Sequence, residues 1–245
     1  MTHKETLKAI KHQVTKIVEK NTSQQKLIAA FDADGTLWPA DVGRSFFAYQ
    51  VKEKLLEKKV SDPSFVFNQI RSQKGEKEAF LWLAKVQAGV LLDQFNDWVG
   101  DFLKKNSFQM FSFQEDILNF LRKKKVHIFV VSSSLKWTLV KVLKNYDIPP
   151  ENIIGVETQV LNGKITDKAI LPTSVEEGKV FALQKKTNGK LPFFVSGNTL
   201  ADKALLESST HIRWVVSKAS PKEKNHGSEK ALLKIAKEKN WFYID

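Results

Sequence analysis

Apolar positions at three- and four-residue spacings open the chain. Leu7, Ile10, Val14 and Ile17 fall on one face of a helix predicted over residues 1–20. A polar segment, 21–25, ends it, and the pattern then switches to an unbroken apolar run, Leu27-Ile28-Ala29-Ala30-Phe31, cut off at Asp32. A short run that is apolar at every position fits a strand buried on both faces, as in a parallel sheet. Comparable runs recur at 126–131, 152–156, 193–195 and 212–216, and helical periodicities over 134–146, 174–186 and 200–208 separate most of them. This alternation predicts an α/β fold, in which ligands sit beyond the carboxyl ends of the strands.

Between Pro39 and Lys125 no strand pattern is visible. The stretch has helical periodicity and many large apolar residues: Phe46, Phe47, Leu55, Phe65, Phe80, Trp82, Val86, Phe95, Trp98 and Phe102. It reads as a helical insertion with a core of its own. The expected organisation is an α/β core of residues 1–38 and 126–245 and an inserted helical domain of residues 39–125. Asn162-Gly163 between apolar neighbours predicts a hairpin turn. Ser174 with Glu177 has the pattern of a capping box at the start of the helix that carries Lys179. A last amphipathic helix is predicted over 228–239 and a short strand over 241–244.

Composition narrows the function. The absence of Cys excludes disulfides, thiol catalysis and thiolate metal sites. No apolar run approaches the roughly 20 residues of a membrane span, and residues 1–20 lack the apolar stretch of a secretory signal. The expectation is a cytoplasmic protein with no membrane partner. The formal charge of +12 is spread over scattered lysines, with only short clusters such as Lys123-Lys124-Lys125. That favours a solvated basic exterior, able to attract a small anionic substrate, over a nucleic-acid surface.

The sharpest chemical feature is Phe31-Asp32-Ala33-Asp34-Gly35-Thr36-Leu37. Two carboxylates two residues apart leave the end of a buried strand, and Gly35 permits a tight bend just beyond. A carboxylate so placed can bind a hard cation or attack an electrophile. The string resembles the first motif of the haloacid dehalogenase superfamily in its phosphatase branch. Val130-Val131-Ser132-Ser133-Ser134 resembles the second motif, Glu177-Gly178-Lys179-Val180 the third, and Gly197-Asn198-Thr199-Leu200-Ala201-Asp202 the fourth. The acid at Asp34 is the mark of phosphatases in that superfamily. The helical insertion and the late hairpin are most similar to the phosphoserine-phosphatase-like subgroup.

The resemblance implies a three-layer, Rossmann-like parallel sheet with an inserted α-helical cap. It also implies Mg²⁺-dependent hydrolysis of a small phosphomonoester through an aspartyl-phosphate. Asp32 is then the nucleophile and Asp34 the general acid and base. Ser132, Lys179 and Gly35 serve the phosphate. Asp32, Asp34, Asn198 and Asp202 serve the metal, Asp202 by orienting metal waters or Lys179. Asn198 departs from the family pattern, which has Asp there. An amide oxygen brings no full charge, so weaker Mg²⁺ affinity is expected, and the alternative is a weakened or inactive phosphate-binding protein. Asp41, nine residues after Asp32, takes the place of a substrate-gripping Glu. Arg44 and Arg71 are nearby candidates for a carboxylate-binding Arg, with a surface charge as the favoured reading of each, and the implied substrate is phosphoserine-like or another amine-bearing phosphomonoester. Trp38 and Trp82 are read as core residues, with a cationic head group as their other option.

Overall fold

The computed structural model describes residues 2–22, 26–56 and 59–245. Of the polar break after the first helix, residues 23–25 lie outside the described residues. The chain forms two compact units. The first comprises Met1–Ala40, Gln109–Val131 and Leu183–Asp245; the second comprises Asp41–Phe108 and Ser132–Ala182.

In the first unit, α1 (His3–Lys20) starts at a capping box in which Thr2 and Glu5 bond each other's backbone amides, and it buries Ile10 and Val14. All four residues of β1 (Ile28–Phe31) are buried, as an apolar run between neighbouring strands requires. Two strands flank β1 in parallel: β2 (His127–Leu135), which pairs Val130 with Phe31, and β6 (Phe194–Gly197), which pairs Ser196 with Phe31. Beyond β6 lie β7 (Ile212–Val216) and β8 (Phe242–Ile244), also parallel. The helices α9 (Lys203–Glu207) and α10 (His226–Glu238) pack on these strands, and α1 packs on β8 and on α6 (Ser112–Lys123).

With β3 (Ile153–Val156) included, the sheet order is β3-β2-β1-β6-β7-β8. The chain builds outward from β1 in one direction and then, starting at β6, in the other. The order therefore reverses between β1 and β6, and such a reversal opens a crevice beyond the strand ends, where α/β proteins bind ligands. The expected α/β, Rossmann-like parallel sheet is the observed fold.

The second unit holds α2 (Val42–Lys52), α3 (Pro63–Lys74), α4 (Glu76–Lys85) and α5 (Leu92–Lys105). It also holds the end of β2, α7 (Lys136–Leu143), β3 and the hairpin of β4 (Thr158–Leu161) and β5 (Lys164–Ala169). The hairpin turns on Asn162 and Gly163, both at positive φ (49° and 75°), as the sequence predicts. The aromatic core is real: Phe46 packs edge-on against Phe95 and Phe102, and Phe95 against Trp137. Phe65 is a correction, for it is 62% exposed and Phe67 is buried in the cluster instead.

A second correction concerns the start of α8 (Gly178–Lys186). Ser174 does not cap it, because Glu176 takes a left-handed φ of 51° and the helix begins only at Gly178. The Ser174 hydroxyl instead donates to the Ser132 carbonyl at 2.7 Å.

Candidate active site

Asp32 follows the last residue of β1, and its amide still donates to the Ser196 carbonyl of β6 at 2.9 Å. The strand ladder thus fixes its backbone, while its side chain, 4% exposed, stands at the switch point. The chain then turns at once. Leu37 N–H donates to the Ala33 carbonyl at 2.8 Å, and Gly35 N–H to the Trp38 carbonyl at 3.0 Å. Gly35 is at φ 80°, and a Cβ there would lie 2.0 Å from the Asn198 Nδ2. Glycine is required on both counts.

That turn places two further groups. The fully buried Trp38 donates its indole N–H to Asp34 Oδ1 at 2.9 Å. Its polar edge thus holds the acid that the resemblance makes a proton donor, and the cationic head-group option for Trp38 falls away. Thr36, also fully buried, has its hydroxyl 2.9 Å from Asp32 Oδ2 and 3.3 Å from Asn198 Oδ1. Carboxylate and amide oxygens from the ends of neighbouring strands therefore meet at one hydroxyl.

Asn198 follows Gly197, the last residue of β6. A Cβ at Gly197 would come 2.6 Å from the Cβ of Asp202, so the loop can fold back only over a glycine. Asp202 Oδ2 accepts from the amides of Asn198 (3.1 Å) and Thr199 (3.0 Å) and faces the Thr199 hydroxyl at 3.3 Å. That oxygen secures the Asn198 loop. The Asn198 amide group donates from Nδ2 to Glu229 Oε1 at 2.8 Å, and Glu229 Oε2 accepts from the Ala219 amide at 2.8 Å. Burial pushes the Glu229 carboxyl up, against the opposing pull of the Ala219 and Asn198 donors.

Among the described residues, no group of three or more His, Cys, Asp and Glu side chains is arranged to hold a metal ion. The oxygens present nevertheless suit a hard cation. Asp32 Oδ2 and Asn198 Oδ1 converge on Thr36, and the amide nitrogen points away toward Glu229. Mg²⁺ needs only one or two protein carboxylates beside substrate phosphate and water.

The remaining predicted residues belong to the second unit. Ser132 lies within β2, two residues beyond the partner of Phe31, so it is not a helix cap. Its Oγ accepts from the Ser134 amide at 3.1 Å, which leaves the hydroxyl proton for another acceptor. Lys179, in the first turn of α8, is 2% exposed and so is no surface lysine. The tight turn before it demands Gly178, where a Cβ would fall 2.0 Å from the Thr173 carbonyl oxygen. Asp41 caps α2, with Oδ1 2.8 Å from the Arg44 amide and Oδ2 3.1 Å from Arg44 Nε. Glu76 lies 3.9 Å from Arg44 and is also bonded by Arg71. Both arginines are thus committed to acids of their own unit.

Sequence reading missed Glu229 and Gln114; the latter is a fully buried α6 residue donating to Ser196 Oγ at 3.1 Å. A signal for Glu229 existed. With Leu232, Leu233 and Ala236 it occupies the buried stripe of α10, where an acid needs a partner.

A family profile described as haloacid dehalogenase-like hydrolase matches residues 29–207. A phosphorylcholine phosphatase from Pseudomonas aeruginosa is 24% identical over 207 residues, 68% of this chain, and the chain spans 59% of that relative's length. Among solved structures, a protein with unknown function from Bordetella pertussis Tohama I aligns with a TM-score of 0.71 at 16% identity, over 90% of this chain and 99% of that one. A phosphoserine phosphatase solved as a phospho-aspartyl intermediate analogue aligns with a TM-score of 0.53 at 13% identity, over 90% and 94%. At such identities the shared feature is the fold.

Proposed function

The chain belongs to the haloacid dehalogenase-like hydrolase family, and from that premise we propose that it is a magnesium-dependent phosphatase. Its substrate is a small phosphomonoester with an amine or other cationic head group. The observation that carries this reading is the meeting of Asp32 and Asn198 around Thr36 at the switch point of the sheet.

In the first step an Asp32 carboxylate oxygen bonds to phosphorus as the ester P–O bond breaks, and protonated Asp34 gives its proton to the departing alkoxide. In the second, Asp34 takes a proton from water as the water oxygen attacks the aspartyl-phosphate. The bond to Asp32 breaks and inorganic phosphate leaves. Trp38 keeps Asp34 oriented for both transfers. Ser132 donates its hydroxyl to a phosphoryl oxygen, Lys179 neutralises phosphate charge, and Gly35 keeps the turn after Asp34 free of a side chain. An Asp32 oxygen, the Asp34 carbonyl and Asn198 Oδ1 would hold Mg²⁺, whose charge would offset the repulsion between carboxylate and phosphate. Asp202 keeps the Asn198 loop in place. The helical insertion acts as a cap that excludes bulk water.

The similarity to a protein named phosphorylcholine phosphatase supports a cationic head group. Asp41 is the acid we assign to it, and binding requires Asp41 to exchange its Arg44 contact for the substrate. The test is phosphate release from phosphorylcholine, phosphoserine and related phosphomonoesters with and without Mg²⁺, with Asp32→Asn as the blank. Release that requires Mg²⁺ and is absent from the blank is expected; release that survives in the blank overturns the assignment of the nucleophile. The amide at Asn198 favours a second reading, a phosphate binder without turnover. Phosphate binding by calorimetry, with no release from any ester at saturating Mg²⁺, would select it.

A further inference from the structure

We propose that Glu229 is a positioning residue for the cation site: it anchors the Asn198 amide by its nitrogen, so that the amide oxygen faces Asp32. The inference rests on the cation reading given above and deepens it. Glu229 lies outside residues 29–207, the stretch matched by the family profile.

An asparagine side chain can present either its oxygen or its nitrogen to a site. Here the choice is made from behind. Nδ2 is 2.8 Å from Glu229 Oε1; turned over, the amide would set its oxygen against that carboxyl oxygen. Both residues are buried, at 1% and 2% exposure, so water is not at hand to soften the mismatch. Glu229 is itself held, because Oε2 accepts from the Ala219 amide at 2.8 Å. Both carboxyl oxygens thus accept N–H donors. Gly35 closes the third side, with no room for a side chain: its absent Cβ would lie 3.0 Å from Asn198 Cγ and 3.5 Å from Glu229 Oε1.

The amide at position 198 and the acid at position 229 are therefore matched. An aspartate at 198 would face a second carboxylate across 2.8 Å in a buried setting. The acid stands one side chain behind position 198, where it accepts the amide N–H. Exchanging the two chemistries should preserve every bond. In Asn198→Asp with Glu229→Gln, the new glutamine's amide donates to the new aspartate while its carbonyl accepts from the Ala219 N–H. In Glu229→Gln alone, one carbonyl oxygen must serve two donors.

The test compares the parent chain with Asn198→Asp, Glu229→Gln and the double variant. Melting in chelator reads the pairing without any cation. Asn198→Asp should melt about 5–10 °C below the parent, and the double variant should recover most of that loss. Calorimetric Mg²⁺ titration reads the orientation. Glu229→Gln should bind Mg²⁺ about tenfold more weakly, and the double variant at least as tightly as the parent. Losses in the double variant that equal the sum of the single losses would overturn the pairing, as would an Asn198→Asp variant that melts with the parent. If Asn198→Asp does not fold, folding of the double variant supports the pairing and its failure to fold overturns it. A parent chain that takes up no Mg²⁺ would sink the cation reading, and with it the purpose given to Glu229; a parent that binds Mg²⁺ beside purely additive variants would sink only the pairing.

Discussion

At the ends of β1 and β6 in the first unit, the buried side chains are polar, and hydrogen bonds run from Asp32 through Thr36 and Asn198 to Glu229. In the second unit the buried cluster is rich in aromatics, with Phe46, Phe95, Phe102 and Trp137 in edge-to-face contact. The two kinds of burial have different consequences. Aromatic burial contributes stability roughly in proportion to area, and its contacts tolerate repacking. A buried polar chain contributes little net stability, but leaving one of its members unpaired is costly and the geometry it holds is particular. Substitution in the first region should therefore read out in chemistry, and in the second in folding.

The largest expected effect tests the polar side. Asp34→Asn removes the group assigned to protonate the leaving alkoxide, and turnover of an alkyl phosphate should fall about 10²–10⁴-fold. The same variant should lose far less with p-nitrophenyl phosphate, whose leaving group needs no proton. Equal losses on the two substrates would mean that Asp34 is not the acid. Phe95→Ala tests the other side. Phe95 is fully buried between Phe46 and Trp137, and its truncation should cost about 3–5 kcal/mol of unfolding free energy in urea. Turnover per folded molecule should stay near the parental value; a large loss there would break the contrast between the units.

Trp38→Phe joins the two kinds of burial in one residue. The ring is fully buried, yet its N–H holds Asp34. Losing one such hydrogen bond costs about 1 kcal/mol, so kcat should drop roughly fivefold with KM unchanged. A drop in stability with kcat intact would return Trp38 to the purely structural role that its apolar neighbours suggest.

These cases also show what the amino-acid order makes legible. Asp32, Asp34 and Gly35 are contiguous and follow an apolar run that ends abruptly, so strand, turn and chemistry can be read together. The Asn198–Glu229 pair joins residues 31 apart on different elements, and an acid in a lysine-rich amphipathic helix passes for a solvated one. Only its place on the stripe of Leu232, Leu233 and Ala236 marks it. In the insertion, an abundance of aromatics hides which face is inward, and Phe65 and Phe67 exchange places for that reason. Ser174 and Glu177 carry a capping pattern, but the left-handed Glu176 between them delays the helix and frees the Ser174 hydroxyl for Ser132. Local patterns carry local structure; partners distant in the chain become visible only when the sheet brings them together.

The smallest expected effect belongs to an acid that contrasts with Glu229 within the same unit. Glu207 on α9 bonds Lys239 at 2.8 Å and Lys203 at 2.9 Å, and these bonds, Lys239 first, hold its carboxyl below the usual range. Its side chain is 35% exposed, so solvent screens the pair and the arrangement is worth only about 0.5 kcal/mol. A carboxyl whose pKa is depressed by folding contributes stability above its unfolded pKa and loses it as pH falls through the folded one. Glu207→Gln should therefore unfold slightly more easily than the parent at neutral pH, and the gap should close in acid. Concentrated salt should close it as well, since the screening length shrinks to about 3 Å at 1 M. A gap that survives both treatments would mean that Glu207 acts by packing rather than by charge, and would place it beside Glu229 among acids whose surroundings, not whose charge, decide their contribution.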